Sequence, residues 1–314
     1  MKKNIFIFGA NSILANNLIV KDVKNYNKIG LYRNKLEPES SSKLISKYQI
    51  NLSEDLTKKD LNNLYKMSMS LSKDRKNIFV LYAWSGTHRT SLNDQKKIIW
   101  NSNENIIKNF IKICKILKPY QIVFLSSADP LYKQNSKIPS KESDQLKPSS
   151  PYGHQKVWAE KILELFASNN NINLTVFRIA PAYGFDSRFR DQGVLNKWLI
   201  AAYKCQELTV YNSLDSEINF VSFEHISEAI LNSIEKEVFG TFNLGSIASS
   251  KLKFIKDLVS KVTNKKDLKV NYISNSKKLF FLDTSLFYDK SGLQFPVSLE
   301  DEAFKIYSKI KETL

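Results

Sequence analysis

"IFIFGANSILANNLI" (residues 5–19) changes period halfway along. Its first four residues are a short continuous apolar run, the pattern of a strand buried on both faces. From residue 12 to 20 the apolar positions instead recur at helical spacing. Gly9 stands where the strand hands over to the helix. A glycine there lets the backbone approach a pyrophosphate, and the helix N-terminus offers free N–H groups and a positive dipole end. Of three positions spaced by three, only Gly9 is glycine. Ser12 and Ala15 hold the other two, and both are small enough for close approach. An ordinary strand-to-helix turn would read the same way.

The following segments repeat the alternation. "KIGLY" (28–32), "NIFVLYA" (77–83), "QIVFLS" (121–126) and "LTVFRI" (174–179) read as buried strands, and "YQINL" (48–52) as a weaker one. Helical patterns over 57–68, 92–117 and 151–168 lie between them. Strands alternating with helices predict an α/β fold, a Rossmann-type doubly wound parallel sheet covered on both faces. After residue 180 the elements shorten. Helices are expected near 194–204, 224–234 and 251–262 and after 298, with strands near 208–210, 218–221 and 241–244. At the end of the second strand, where an acidic residue would bind the ribose of NAD, stands Arg33. An arginine can pair with a 2′-phosphate, which places NADP slightly ahead of NAD.

The 314 residues, 42% of them hydrophobic, suffice for a large core and argue against chain-wide disorder. Cys114 and Cys205 are too few for a disulfide scaffold and fit a reducing compartment. No apolar run reaches the length of a membrane span, and the N-terminal run is too short for a secretory signal, so a cytoplasmic protein is expected. The net charge of +16 comes from lysines scattered end to end rather than from one basic and aromatic stripe. That distribution speaks for solvated faces rather than nucleic-acid binding, and it also suits a phosphate-bearing substrate. His88, His154 and His225 are far apart and neither cysteine has metal spacing, so no metal site is expected.

"SSPYGHQKVWAEKIL" (149–163) adds chemistry. Ser150 suits an N-cap and Pro151 the first helical position. Tyr152 and Lys156, four apart, then share a helix face. A phenol beside an ammonium is either an accident of spacing or an acid beside the charge that tunes its pKa.

These pieces, in this order, resemble the extended short-chain dehydrogenase/reductases, the NAD(P)-dependent epimerase/dehydratase family of nucleotide-sugar enzymes. The resemblance runs through "FGANSILA", "EDL" (54–56), "LYAWSG" (81–86), "NENIIKNFIKICK", "VFLSSADPLY", "PYGHQK", "FRIAPAYG" (177–184), "INFVSFEHI" (218–226), "FNLG" (242–245) and "LDTS" (282–285). It implies Ser127, Tyr152 and Lys156 as the catalytic relay, with Ser126 as the alternative serine. It places the cofactor against Gly9, Ser12, Ile13, Leu14, Arg33, Asp55, Leu56, Ala83, Trp84, Asn103, Lys156 and Ala180. Asp55 would contact the adenine. Substrate would meet Ser127, Pro181, Arg188 and Arg190. Residues 1–180 would form the NAD(P)-binding domain, and 181–314 a smaller α/β substrate lobe with some chain crossing back to the sheet. A homodimer built on a helix bundle is usual in such proteins.

The chain departs from the family pattern in four places. Two of three loop glycines are gone. Pro181 stands where an asparagine is frequent. Ile218 replaces an arginine that binds the substrate diphosphate. Ala128 and Asp129 follow the serine where dehydratases carry an Asp-Glu pair, which argues against water elimination. A C4 epimerase and a 4-keto reductase of a nucleotide sugar both stay open. So do a reductase of a small carbonyl without a diphosphate and a non-catalytic cofactor-binding protein.

Overall fold

The computed structural model describes residues 3–70, 75–87, 96–133, 136–186, 188, 193–274, 276–294 and 298–314. The first half runs β1 (Lys3–Phe8), α1 (Ile13–Val20), β2 (Tyr26–Tyr32), α2 (Pro38–Lys43), β3 (Ser46–Gln49), α3 (Lys58–Ser70), β4 (Asn77–Leu81), α4 (Lys96–Leu117), β5 (Gln121–Ser127), α5 (Pro151–Asn169) and β6 (Asn173–Ile179). The second half runs β7 (Ala182–Tyr183), α6 (Val194–Tyr203), β8 (Leu208–Val210), β9 (Glu217–Ile218), β10 (Val221–Ser222), α7 (Phe223–Glu235) and β11 (Gly240–Leu244). It ends with β12 (Ser250–Lys251), α8 (Leu252–Thr263), β13 (Val270–Tyr272), β14 (Leu279–Phe280), α9 (Ser285–Ser291) and α10 (Leu299–Thr313).

Seven strands form one sheet in the order β11-β6-β5-β4-β1-β2-β3, and every pairing is parallel. The order reverses between β1 and β4, the switch point where open α/β sheets leave a crevice at their carboxyl ends. Both faces are buried, and the strand period sorts the side chains between them. Ile5, Ile7, Ile78, Val80, Val123 and Leu125 join the core beneath α1 and α7. Phe6, Phe8, Phe79, Leu81, Ile122 and Phe124 join the core beneath α3, α4 and α5. The aromatic members interlock, with Phe8 edge-on to Phe110 of α4 at 4.9 Å between ring centroids. A third core, around Trp198, Leu199, Ile255, Val259 and Ile306, lies among α6, α8 and α10.

β4 stops at Leu81, two residues short of the predicted end. The amides of Tyr82 and Ala83 both donate to the Phe8 carbonyl at 2.9 Å, which turns the chain off the sheet. The amides of Gly9 and Ala10 do the same on Leu31, also at 2.9 Å. These two bends open the crevice, and they press against each other. Gly9 has φ +86°, and a Cβ on it would lie 2.6 Å from the Ala83 amide nitrogen. Gly9→Ala is therefore expected to cost about 2–4 kcal/mol, from the left-handed backbone together with the overpacking. Its denaturation midpoint checks this, and an unchanged midpoint would mean the two bends have slack.

Candidate active site

The crevice at the switch point has a volume of about 480 Å³. Five of the expected cofactor residues line it: Gly9, Ser12, Arg33, Ala83 and Trp84. Ser12 is the N-cap of α1, and its side chain makes no cap bond. Tyr82 also lines the crevice, and the sequence reading missed it. The hydroxyl of Tyr82 and Nε1 of Trp84 are buried with no hydrogen-bond partner. Two donors left for an acceptor the protein does not supply, a glycine turn beside a helix N-terminus and a basic β2 end fit an oxygen-rich dinucleotide.

The acidic residue expected at the adenine is not at the crevice. Asp55 is exposed, and neither it nor Leu56 is part of the lining. Asn51, Leu52 and Ser53, just after β3, line the crevice instead. α4 holds them there: Asn109 Nδ2 donates to the Leu52 and Glu54 carbonyls at 3.0 and 2.6 Å, and Asn105 Nδ2 to the Ser53 carbonyl at 3.1 Å. Asn103, expected at the cofactor, instead grips the opposite wall. Its Oδ1 accepts from the Ser85 amide at 2.7 Å, and its Nδ2 donates to the Ser85 carbonyl and to Gln155 Oε1 at 3.1 and 2.9 Å. The side chain is fully buried, so it positions the loop after β4 and braces it on α5. Ile13 is buried in the core, and Leu14 packs against that core. Ala180 is buried at the end of β6, where its amide bonds the Leu244 carbonyl at 2.9 Å.

α5 begins as its sequence predicts. Pro151 opens it, and the Ser150 hydroxyl accepts from the Gly153 amide at 3.1 Å. Gly153 has a second task that sequence reading overlooked. A Cβ there would lie 2.5 Å from the Pro130 carbonyl oxygen, so its absence lets the first turn close on the loop after β5. That approach brings Tyr152 to Ser127, and the two side chains are hydrogen-bonded. The strand period decides between the two serines. Ser127 faces Tyr152, whereas Ser126, only 2% exposed, turns the other way and donates to Glu160.

Lys156 sits one turn on, 4% exposed. Its Nζ donates to the Leu125 carbonyl at 2.8 Å and lies 3.9 Å from the Trp84 ring centroid and 5.8 Å from that of Tyr152. The charge therefore stacks on the indole and not on the phenol. Burial pushes the Tyr152 phenol up to about 12, a rise the Ser127 hydrogen bond opposes. Burial likewise pushes Lys156 down to about 7, opposed by the Glu160 carboxylate. The expected lowering of the phenol by its neighbour is thus not a property of the protein alone. An ammonium has three donors, and two remain beyond Leu125 for hydroxyls of a ligand.

Beneath these residues lies a buried ionic network. Glu160 follows Lys156 by one turn of α5 and accepts from Arg178 Nε and Nη2 at 3.1 and 2.8 Å. Arg178 pairs with Ser126 across β5 and β6. Its Nη1 donates to the Tyr132 hydroxyl at 2.8 Å and the Glu142 carbonyl at 3.1 Å. Tyr132 passes a bond to Asn243 of β11 at 2.8 Å. The network fastens β6 and β11 to the two elements that carry the cluster, β5 with Ser127 and α5 with Tyr152 and Lys156.

Residues after β6 approach this floor. Lys278 Nζ pairs with Asp129, two residues past Ser127, at 2.6 Å. Ile218 lies in β9 opposite Phe280 of β14. The Pro181 carbonyl accepts from the Val221 amide at 3.2 Å. Arg188, expected at the substrate, reaches the cofactor turn: Nη1 donates to Asn11 Oδ1 at 3.0 Å. Arg190 and His88 lie outside the described residues. Among the described residues no helix is long and apolar enough to cross a membrane.

A doubly wound parallel sheet, a nucleotide-sized crevice at its switch point and a Ser-Tyr-Lys cluster beside it define an enzyme of the extended short-chain dehydrogenase/reductase type. The chain belongs to the NAD dependent epimerase/dehydratase family, whose model matches residues 5–245. Among curated proteins it is 28% identical over 167 residues to an uncharacterised protein of Methanocaldococcus jannaschii, a match spanning 52% of this chain and 50% of that relative. Among solved structures it is similar to a UDP-glucose 4-epimerase of Thermotoga maritima bound to UDP-glucose, with TM-score 0.81 and 20% identity over 99% of both chains. A UDP-N-acetylglucosamine 4-epimerase of Methanobrevibacter ruminantium matches with TM-score 0.83 and 18% identity over 100% of both chains. A UDP-glucose 4-epimerase of Thermus thermophilus in complex with NAD matches with TM-score 0.83 and 14% identity, covering 99% of this chain and 100% of that one. At these identities the likeness to solved structures is one of fold.

Proposed function

We propose that the protein is a nicotinamide-dependent oxidoreductase or epimerase acting on a nucleotide-activated sugar, either as a C4 epimerase or as a 4-keto reductase. The observation that carries this reading is the hydrogen bond between Ser127 and Tyr152 beside a buried Lys156, whose ammonium lies over the ring of Trp84 in the crevice lining. A bound nicotinamide dinucleotide supplies the hydride donor or acceptor. Tyr152 gives or takes the proton at the substrate oxygen. Ser127 hydrogen-bonds that oxygen as charge develops on it. Lys156 offers its two remaining donors to ligand hydroxyls, and its charge favours the phenolate once Tyr152 ionises. A second reading, a small carbonyl substrate without a diphosphate, draws on Ile218, which puts an apolar side chain where the family pattern has its arginine.

Gly9, Ser12, Ala83 and Trp84 would hold the cofactor, with Asn51 and Ser53 at its adenosine end. Arg33 and Asn34 line the crevice with no acidic residue beside them, which favours NADP over NAD. A homodimer through α4 and α5 fits the exposure of Ile98 (73%) and Leu165 (61%). The test is a fluorescence titration with NADPH and with NADH, in which binding with NADPH preferred is expected. Binding of neither would overturn the proposal. Arg33→Ala is expected to lower the NADPH-to-NADH affinity ratio about tenfold, the loss of one exposed charge-assisted contact. An unchanged ratio would remove the 2′-phosphate reading.

A further inference from the structure

We infer that Arg188 serves the cofactor pyrophosphate and not the substrate, so that the second lobe completes the dinucleotide site from outside the sheet. This inference rests on the function proposed above and adds to it the residue that replaces the missing loop glycines.

The placement of the side chain carries the argument. Arg188 belongs to the segment between β7 and α6, where a loop arginine would ordinarily point into solvent. Instead its side chain is only 19% exposed and three groups hold it. Nη1 donates to Asn11 Oδ1 at 3.0 Å, Nε donates to Asp186 Oδ1 at 3.3 Å, and Nη1 lies 3.8 Å from Glu37 Oε1. Asn11 is part of the turn between β1 and α1, and it lines the crevice with Gly9 and Ser12. Glu37 is the N-cap of α2, across the mouth of that turn. The guanidinium is therefore fixed against the turn that leads into the N-terminus of α1, where the amides of the first helical turn suit a pyrophosphate.

The chemistry of the turn calls for such a group. α1 is only eight residues long, and its N-terminal dipole is correspondingly short. Ser12, which lines the crevice, carries a side chain where a glycine would let a ligand come closer to the backbone, whereas Ala15 is buried in the core beneath α1. A guanidinium recognises phosphate oxygens through two parallel N–H bonds. Asp186, 6% exposed, holds Arg188 from behind: burial raises its carboxyl, and the guanidinium opposes the rise. With Nε committed to Asp186, the amino groups remain for a diphosphate that displaces the Asn11 amide oxygen or bridges beside it.

The experiment compares wild type and Arg188→Gln in competition titrations with ADP-ribose, adenosine and UDP. ADP-ribose carries the pyrophosphate of the cofactor, adenosine fills the same crevice without it, and UDP reports the substrate lobe. The expected result is a loss of about 10- to 100-fold for ADP-ribose, the scale of a charge-assisted contact, with adenosine and UDP unchanged. Arg188→Lys should recover part of the loss. Unchanged ADP-ribose affinity would overturn the inference. So would an equal loss for adenosine, which would mean Arg188 acts only through the shape of the turn, and so would a loss confined to UDP, which would return the arginine to the substrate. Failure of the wild type to bind ADP-ribose at all would instead remove the proposed function on which the inference stands.

Discussion

Tyr152→Phe is expected to lower turnover by about 10²–10⁴-fold while leaving cofactor affinity nearly unchanged, the range that general acid–base catalysis contributes. The phenol is the one proton-bearing group held against Ser127, and burial keeps it protonated, near 12, until a ligand changes its surroundings. A phenylalanine keeps the ring between α5 and the β5 loop and removes only the proton. The fold should therefore survive, and a single-turnover measurement separates lost chemistry from lost binding. Near-normal turnover on an identified substrate would mean another group moves the proton. Ser127→Ala would then be the sharper probe, because Ser126 is already committed to Glu160 and offers no substitute.

The second large effect is on stability. Arg178→Met leaves Glu160 charged with its side chain only 6% exposed and strips Tyr132 and Glu142 of their donor. Breaking a buried pair from one side costs about 3–5 kcal/mol, because one charge stays behind without a partner. Replacing both ends is far milder, so adding Glu160→Leu to Arg178→Met should recover much of the loss. Urea unfolding of the two single variants and the double variant forms the cycle. Additive losses would show that the pair is not coupled. The ammonium of Lys156 should respond as well, since the Glu160 carboxylate is what opposes its deprotonation.

The sheet was legible in the sequence because each of its central strands is an apolar run too short for a helix, set between longer segments of helical period. β1, β4, β5 and β6 all lie where the runs of Ile, Val, Phe and Leu place them. The start of α5 was equally legible, since Ser150 and Pro151 are local signals that need no tertiary context. What failed was non-local or too short. α2, "PESSSK", carries no apolar period for a pattern to detect. β13, β14 and α9 are two to seven residues long, and β13 and β14 exist because β8 and β9 offer edges to pair with.

The site divides in the same way. Tyr152, Lys156, Ser127 and Gly9 sit in contiguous motifs, and the structure brings the first three together beside the crevice. Asp55 stands as the acidic residue after the third strand, whereas the crevice is lined by Asn51, four residues earlier and two past the end of β3. Only the strand's true boundary separates the two. Asn103 lies in the expected helix, and its side chain holds the loop after β4 through Ser85, a contact that depends on which way the side chain points. Tyr82 and Gly153 carry a faint signal, since a tyrosine closing a buried apolar run and a glycine inside a helix both break local rules. Such breaks are where function tends to sit.

The most direct measurement adds a panel of nucleotide sugars, free sugars and small carbonyls to cofactor-loaded protein and follows both reduced-nicotinamide absorbance and the C4 configuration of the recovered sugar. One of the two readouts is expected to change with at least one nucleotide sugar, and neither with the matching free sugar or in Tyr152→Phe. A change with small carbonyls alone, or no change in either readout with any compound although the cofactor binds, would contradict the assignment of a nucleotide-sugar oxidoreductase or epimerase.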